Sequence, residues 1–334
     1  MNTFGTFFQV SLFGESHGPA VGAVIDGVLP GLPLGEADFE ADIARRRSGA
    51  KGSTPRREKD LPRILSGVFD GRATGAPLTL VFDNDDTRSA DYAPLQDIPR
   101  PGHADYTASV KAEGFNDPRG GGHFSGRLTL PVVAAGVVAR KMLAELFPED
   151  GFSIRAALAE LGGSADPEAW DALLEQAVAE GDSLGGVVDC VVDGLPAGLG
   201  EPFWDSVESR IAHAVFAIPG VRGIEFGDGF AAARMKGSAH NDPFGPDGEG
   251  VVRPLKNGAG GVNGGISNGA PLHFRTAFKP SSSIRKAQQT WNFATQGPVS
   301  LSVGGRHDAC FALRTPVIVE AMTAIVLADL MSLA

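Results

Sequence analysis

The chain has 334 residues, of which 43% are hydrophobic and 21% charged. That suits one large domain, or two intimate ones, around a sizeable core. A formal net charge of −11 disfavours non-specific nucleic-acid binding, and Cys190 and Cys310, far apart and without metal-ligand spacing, read as reduced core thiols. The opening "MNTFGTFFQVSLFG" has no basic segment ahead of an apolar run, so no signal peptide is expected and the chain reads as cytoplasmic. Glycine is abundant at 45 residues, about twice its usual frequency. It falls in bursts such as "RGGGHFSGR" and "NGAGGVNGGISNGA", places where backbone must adopt positive φ or approach a ligand.

In chain order, "FFQVSLF" reads as a strand and runs into "GESHG" at 14–18. This pentapeptide fits G-x-S-x-G, the nucleophile elbow of serine hydrolases. An elbow needs a helix after the serine, yet Pro19 and a β-branched run up to an Asp-Gly turn predict a second strand. Ser16 is therefore expected to be a hydrogen-bonding loop residue. His17 sits in a glycine-flanked loop with no apolar periodicity to bury it; on this stretch alone a surface histidine is an equal reading.

A helix is predicted over 36–47, with Phe39 and Ile43 on one face and Arg45, Arg46 and Arg47 in its last turn, where cations favour the macrodipole. From Arg45 to Arg63 there are eight basic residues against two acidic ones, a candidate anion site. The run 128–147 is apolar nearly all round, a central buried helix. Residues 166–181 carry an Asp cap, Pro at the first helical position and a Gly stop. Another helix is expected over 203–220. Strands are expected in "SGVFDGRATGAPLTLVF", "GGVVDCVVDG" and "GAPLHFRTAF". The last apolar run, "TPVIVEAMTAIVLADLMSLA", carries Glu320 and Asp329 and reads as a buried helix rather than a membrane span.

The order of elements is α+β and lacks the βαβα rhythm of a doubly wound sheet. Residues 24–46 resemble 191–213, and 71–82 echo 265–276, so the chain reads as an internal duplication. Two similar halves, about 1–150 and 185–334, would form a single domain around a pseudo-twofold axis.

Three further stretches carry chemistry. "RPGHADYT" places His103 after Pro-Gly. "DPRGGGHFSGR" places three glycines, His123, Phe124 and Ser125 ahead of the apolar helix, a backbone arrangement that can cradle an anion. "GGRHDACFALR" places Arg306 and Asp308 after a Gly pair. Each alone is weak. Together with "FGESHG", "DGVLPGLPL", "RRRSG", "STPRREKD", "NDDTRSADY", "GGISNGAPL" and "KPSSSI", in this order and essentially end to end, the chain resembles the chorismate synthase family.

The resemblance implies a β-α-β sandwich, a homotetramer, and reduced FMN as a cofactor that is needed but not consumed overall. It implies a 1,4-anti elimination of phosphate from 5-enolpyruvylshikimate-3-phosphate, giving chorismate in the last step of the shikimate pathway. Carried over by motif, His17 is the acid near the leaving phosphate, His103 protonates the flavin near N1, and Asp308 works through flavin N5 in removing the substrate proton. Arg46 and Arg47 would bind the anionic substrate. Arg46, His123, Phe124, Ser125, Gly264, Lys279, Pro280, Ser281, Ser282, Ser283 and Arg306 would hold the flavin. The resemblance leaves open whether NADPH reduces the flavin on the protein or a separate flavin reductase does so.

Two positions depart from the family pattern. The usual Arg-Ser-Ser-Ala-Arg-Glu-Thr after the three glycines is His123-Phe124-Ser125-Gly126-Arg127-Leu128-Thr129 here, so a permanent cation becomes a titratable one. Gly52 stands where a basic residue is usual, with Lys51 one place earlier. Both bear on cofactor affinity rather than on the reaction. A binding protein that has lost catalysis would be expected to lack His17, His103 or Asp308, and all three are present.

Overall fold

The computed structural model describes residues 1–47, 60–84, 95–147, 151–246, 248, 250–304 and 308–333. In the first half, β1 (Thr3–Phe4), β2 (Gln9–Gly14) and β3 (Ala20–Asp26) precede α1 (Glu40–Arg46); β4 (Arg63–Ser66), β5 (Val68–Phe69), β6 (Arg72–Ala73), β7 (Leu78–Asp83), α2 (Asp105–Lys111) and α3 (Thr129–Leu146) follow. Then come β8 (Ser153–Leu161), α4 (Pro167–Glu180), β9 (Gly186–Asp193), α5 (Val207–Val215), β10 (Val221–Phe226) and α6 (Gly237–His240). Three hairpins follow, β11 (Phe244–Pro246) with β12 (Val252–Pro254), β13 (Val262–Asn263) with β14 (Ile266–Ser267), and, beyond β15 (Leu272–Phe278), β16 (Gln288–Asn292) with β17 (Gly297–Leu301); α7 (Pro316–Leu333) ends the described chain.

Two antiparallel sheets enclose a helical layer. One runs β1-β2-β3-β7-β4 and the other β10-β15-β9-β8. Alternation of side chains along each strand decides which face is apolar. On β15 it buries Leu272, Phe274 and Phe278, and on β9 Val188, Cys190 and Val192. These faces turn toward α3 and α7, which pack against each other, α3 on β2, β3 and β7 and α7 on β8 and β9, with α1 and α5 flanking them. Both cysteines are buried and free, and burial pushes the Cys190 thiol well up from its ordinary value.

Local signals account for the helix ends. Asp166 accepts a hydrogen bond from the Glu168 N–H at 3.0 Å, Pro167 opens α4, and Gly181 ends it in the left-handed conformation at φ 68°. The helix predicted over 36–47 is instead a 3-10 turn, Glu36–Phe39, running into α1. The one predicted over 203–220 is shortened to α5, because Ser206 caps it through the Ser209 N–H at 3.0 Å.

The last helix is long and apolar enough to span a membrane by composition, yet it lies buried between the sheets. Its two carboxylates are each met. Glu320 accepts two hydrogen bonds from Arg45, at 2.6 and 2.8 Å, one from Arg140 and one from the Ala156 N–H at 2.8 Å. Asp329 accepts the N–H groups of Thr6, Phe7 and Phe8 at 2.8, 2.7 and 3.0 Å and pairs with Arg210.

The two central helices approach so closely that a Cβ on Gly136 would stand 2.3 Å from the Ala321 Cβ and 2.5 Å from its Cα. Gly136→Val should therefore destabilise the protein by at least about 1–3 kcal/mol, the usual cost of overpacking a core. Urea denaturation checks this, and an unchanged midpoint would mean that the helix crossing has slack.

Candidate active site

Residues 119–124 form a kinked 3-10 turn in which Gly120, Gly121 and Gly122 all have positive φ, 61°, 83° and 53°. L-residues avoid this region, so the three glycines are a backbone requirement. The missing side chains also make room. A Cβ on Gly120 would lie 2.5 Å from His17 Cδ2 and 2.9 Å from Ser16 Oγ; one on Gly121 would lie 3.2 Å from His103 Cε1. The turn thus sits between the two histidines. It is fixed by a hydrogen bond from the Ser16 N–H to the Gly122 carbonyl at 3.1 Å and by one from Ser125 Oγ to Ser16 Oγ at 3.2 Å.

Beside the turn is a cavity of about 1280 Å³. Its lining includes Arg46, Arg47, Arg100, Lys111, Arg127, Arg222, Lys279 and Arg314, eight cationic side chains, against the carboxylates of Asp60 and Asp308. In a chain of net charge −11 this makes the cavity a local anion site. Its apolar wall includes Phe4, Phe124, Phe216, Ile218, Phe311 and Ile325. Among the described residues no cluster of His, Cys, Asp or Glu could hold a metal ion.

The cavity gathers most of the residues singled out from the sequence. His103, His123, Phe124, Ser125, Lys279, Pro280, Ser281, Ser282, Ser283, Asp308, Arg46 and Arg47 all line it. Lys279 Nζ donates to Ser282 Oγ at 2.5 Å and to the Gly102 carbonyl at 2.7 Å, and Ser282 Oγ donates to the same carbonyl at 2.8 Å. Burial, together with the nearby charge of Arg222, lowers the Lys279 ammonium from its ordinary value. Asp308 accepts a hydrogen bond from Arg314 Nη2 at 2.6 Å. His123 donates from Nδ1 to the Gly14 carbonyl at 2.8 Å, which leaves Nε2 as its other polar atom.

The structure places the other residues singled out from the sequence differently. His17 is buried, 8% exposed, and stands behind Ser16 and Gly120, which line the cavity in its stead. Its charge is felt by Asp117, whose carboxyl is held below the ordinary value by the Arg119 hydrogen bond first, against burial, with His17 adding to the effect. Arg45 does not face the cavity; it is committed to Glu320. Arg46 lines the cavity, but its guanidinium is built into the wall, donating to Thr129 Oγ1 at 2.9 Å and to the Gly126 carbonyl at 3.0 Å, with Asp60 at 3.6 Å. Gly264 lies elsewhere, beside a shallow depression with Phe203, Ser206 and Phe226. With Gly265 it makes the two-residue turn between β13 and β14, at φ 62° and 92°, a hairpin turn that demands positive φ. Arg306, Lys51 and Gly52 lie outside the described residues.

The sequence reading missed Arg222, at the second position of β10, although Gly220 and Gly223 flank it, because it falls in none of the motifs singled out. It also missed Arg100, three residues before His103 and inside a motif already singled out, and Arg314, six residues after Asp308.

The chain matches the chorismate synthase family over residues 8–332. It is 57% identical over 333 residues to the chorismate synthase of Chitinophaga pinensis, covering 100% of this chain and 97% of that one. It is 46% identical over 354 residues to a chorismate synthase of Dehalococcoides mccartyi, covering 98% and 96%, and 44% identical over 351 residues to that of Korarchaeum cryptofilum, with the same coverage. A crystal structure of chorismate synthase superposes with a TM-score of 0.73 at 26% identity, covering 98% of this chain and 92% of that one.

Gly120→Ala tests the turn. Positive φ and the short approach to His17 should displace the histidine ring, seen as a shift of its NMR ring resonances, and destabilise the fold by about 1–2 kcal/mol. Gly35→Ala, where a Cβ meets nothing within 4 Å, should do neither.

Proposed function

The chain belongs to the chorismate synthase family, lyases of the shikimate pathway that eliminate phosphate from 5-enolpyruvylshikimate-3-phosphate, and on that premise we propose that the cationic cavity is where this elimination takes place. The observation that carries the reading is the glycine turn, which holds His103 at the cavity wall and His17 directly behind it. A substrate with two carboxylates and a phosphate matches the surplus of cations over carboxylates in the lining.

The cavity also suits a flavin mononucleotide. Single-ligand pockets run to about 300–1,000 Å³, so about 1280 Å³ leaves room for flavin and substrate together. Phe124 and Phe311 offer apolar walls for a planar ring system, and Arg222, Lys279 and the hydroxyls of Ser281–Ser283 offer partners for its phosphate and polar edges. When bound, reduced flavin would supply electron density that the allylic system of the substrate takes up and returns. The chain's own groups do the rest. His17 would give a proton to the departing phosphate, for which its side of the turn must open toward the substrate. His103, at the cavity wall, would pass a proton to the flavin near N1. Asp308, oriented by its bond to Arg314, would act through flavin N5 in removing the substrate's proton. Arg47 and Arg46 would bind substrate, Arg46 also by shaping the wall.

The reading extends to the rest of the molecule. Both sheets contain the same order, β2-β3-β7-β4 and β8-β9-β15-β10, and each half ends in a central helix, which supports an internal duplication within one domain. Phe203 and Trp204, 84% and 89% exposed, support assembly of further copies, here taken as a homotetramer. We place the enzyme in the cytoplasm, its flavin reduced by NADPH on the protein or by a separate reductase.

With chemically reduced FMN under anaerobic conditions, the purified protein should release chorismate and phosphate in equal amounts; with oxidised FMN or none it should not. His17→Ala and His103→Ala should each lower turnover by about two to four orders of magnitude, the range for a general acid or base. Equal turnover without flavin would overturn the reading.

His123 yields a separate prediction. Arginine stays charged, whereas histidine loses its charge near neutrality, so FMN affinity should be strong at low pH and fall as pH rises. His123→Arg should flatten that curve and tighten binding at alkaline pH. Superimposable titrations would leave the cation role to Lys279 and Arg222.

A further inference from the structure

His103 is held by a carboxylate that no motif assigned, and that carboxylate is held by a neighbouring guanidinium. Its Nδ1 lies 2.6 Å from Asp105 Oδ1 and 3.1 Å from Arg100 Nη2. Asp105 is itself gripped by Arg100 through three further hydrogen bonds: the backbone N–H at 3.0 Å and Nε at 2.7 Å to Oδ2, and Nη2 at 2.7 Å to Oδ1. Both side chains are nearly buried, Arg100 at 4% and Asp105 at 10% exposure. Burial alone would raise the Asp105 carboxyl, but the hydrogen bonds from Arg100 and His103 hold it far below the ordinary carboxylate range. An ionised carboxylate only accepts, so the proton in the 2.6 Å contact belongs to Nδ1. Nε2 is then left at the ring edge opposite Gly121, where a Cβ would come within 3.4 Å of it.

The same arginine reaches across the cavity wall. Arg100 Nη1 donates to Ser283 Oγ at 2.9 Å, while Lys279 and Ser282 bond the Gly102 carbonyl in the loop that carries His103. Loop 100–105 and residues 279–283 are thereby one hydrogen-bonded unit. Among the described residues, the charged groups facing His103 are Arg100 and Asp105 from its own loop, with Lys279 of the facing segment bonded to the Gly102 carbonyl beside it, and Gly121 of the glycine turn presents backbone to the ring.

We propose that Asp105 is a positioning residue for His103: it fixes the proton on Nδ1 and leaves Nε2 as the atom through which His103 exchanges protons in the cavity, with Arg100 tying this orientation to Ser283. The proposal rests on the reading that His103 works in the reaction. Without Asp105, the ring could rotate or take the other tautomer, and Nε2 would no longer be the atom fixed to accept and return a proton. An analogous carboxylate in serine proteases acts through the tautomer of its histidine rather than through its own chemistry.

The test needs no turnover. Long-range 1H–15N NMR of 15N-histidine protein, without flavin, should find the neutral His103 protonated at Nδ1. In Asp105→Asn the proton should redistribute to Nε2, because a neutral amide no longer requires the ring to donate from Nδ1. Turnover with reduced FMN should fall by at least about tenfold with the substrate KM unchanged, and Asp105→Glu should recover part of it. A wild-type His103 protonated at Nε2 would overturn the proposal even if the variant failed to fold. So would an Asp105→Asn protein with unaltered tautomer and turnover. If wild type showed the Nδ1 tautomer and its loss in the variant but formed no chorismate, the functional reading would fall and the positioning would stand.

Discussion

Three consecutive residues at positive φ can only be glycine without strain, and the arrangement of the cavity depends on that turn. Gly120–Gly122 approaches both His17 and His103. A side chain on Gly120 would press on His17 and one on Gly121 on His103, while one on Gly122 would meet the Asp117 carbonyl. The turn is anchored at its far end by the central helix that follows it, since Ser125 accepts the Arg127 N–H at 3.3 Å and Thr129 Oγ1 donates to the Gly126 carbonyl at 2.7 Å. That helix is in turn pinned against α7 where Gly136 meets Ala321. A defect in helix packing would therefore reach the histidines through a rigid path of a few residues.

Charge is distributed to the same end. The chain is acidic overall, yet its buried acids are spent on particular arginines. Glu320 engages Arg45 and Arg140, Asp329 engages Arg210, and Asp60 engages Arg127 and lies near Arg46. Buried ions need such partners because desolvation would otherwise expel or neutralise them. Once those pairs are made, the cavity still has a cationic surplus, expressed in a partly water-excluded space where an anion's attraction to it is stronger than in bulk solvent. Burial first, and then the charge of Arg222, lowers the Lys279 ammonium, and an incoming phosphate would favour its charged form.

What the sequence reveals follows from range. Helix α4 was legible to within a residue because its cap, its proline and its glycine stop are local signals. The α+β class and the burial of the last helix were legible from periodicity and from two acids in an apolar run. The cavity was legible only as a set of motifs, since its parts meet across the fold: Ser282 bonds Gly102 over 180 positions. The three consecutive arginines illustrate the limit. Successive residues on a helix point about 100° apart, so Arg45 turns to Glu320, Arg46 enters the wall and Arg47 stands at the cavity. A charge run cannot disclose which of its members faces where. Gly264 shows the converse, because a glycine at positive φ marks a hairpin as readily as a ligand contact.

The last helix links the chain's two ends to the cavity. Asp329 gathers three successive N–H groups at residues 6–8, which fixes the turn between β1 and β2. Met1, Asn2, Thr3 and Phe4, just before it, form part of the cavity lining, and Phe4 packs edge-on against His213 at 5.5 Å with the Arg210 guanidinium over its ring at 5.2 Å. Arg210 is the same residue that pairs with Asp329. One buried carboxylate thus holds both the backbone and the cation that position the apolar wall opposite the glycine turn. The acid that interrupts an otherwise membrane-like helix is what fits that helix to a cavity-bearing core.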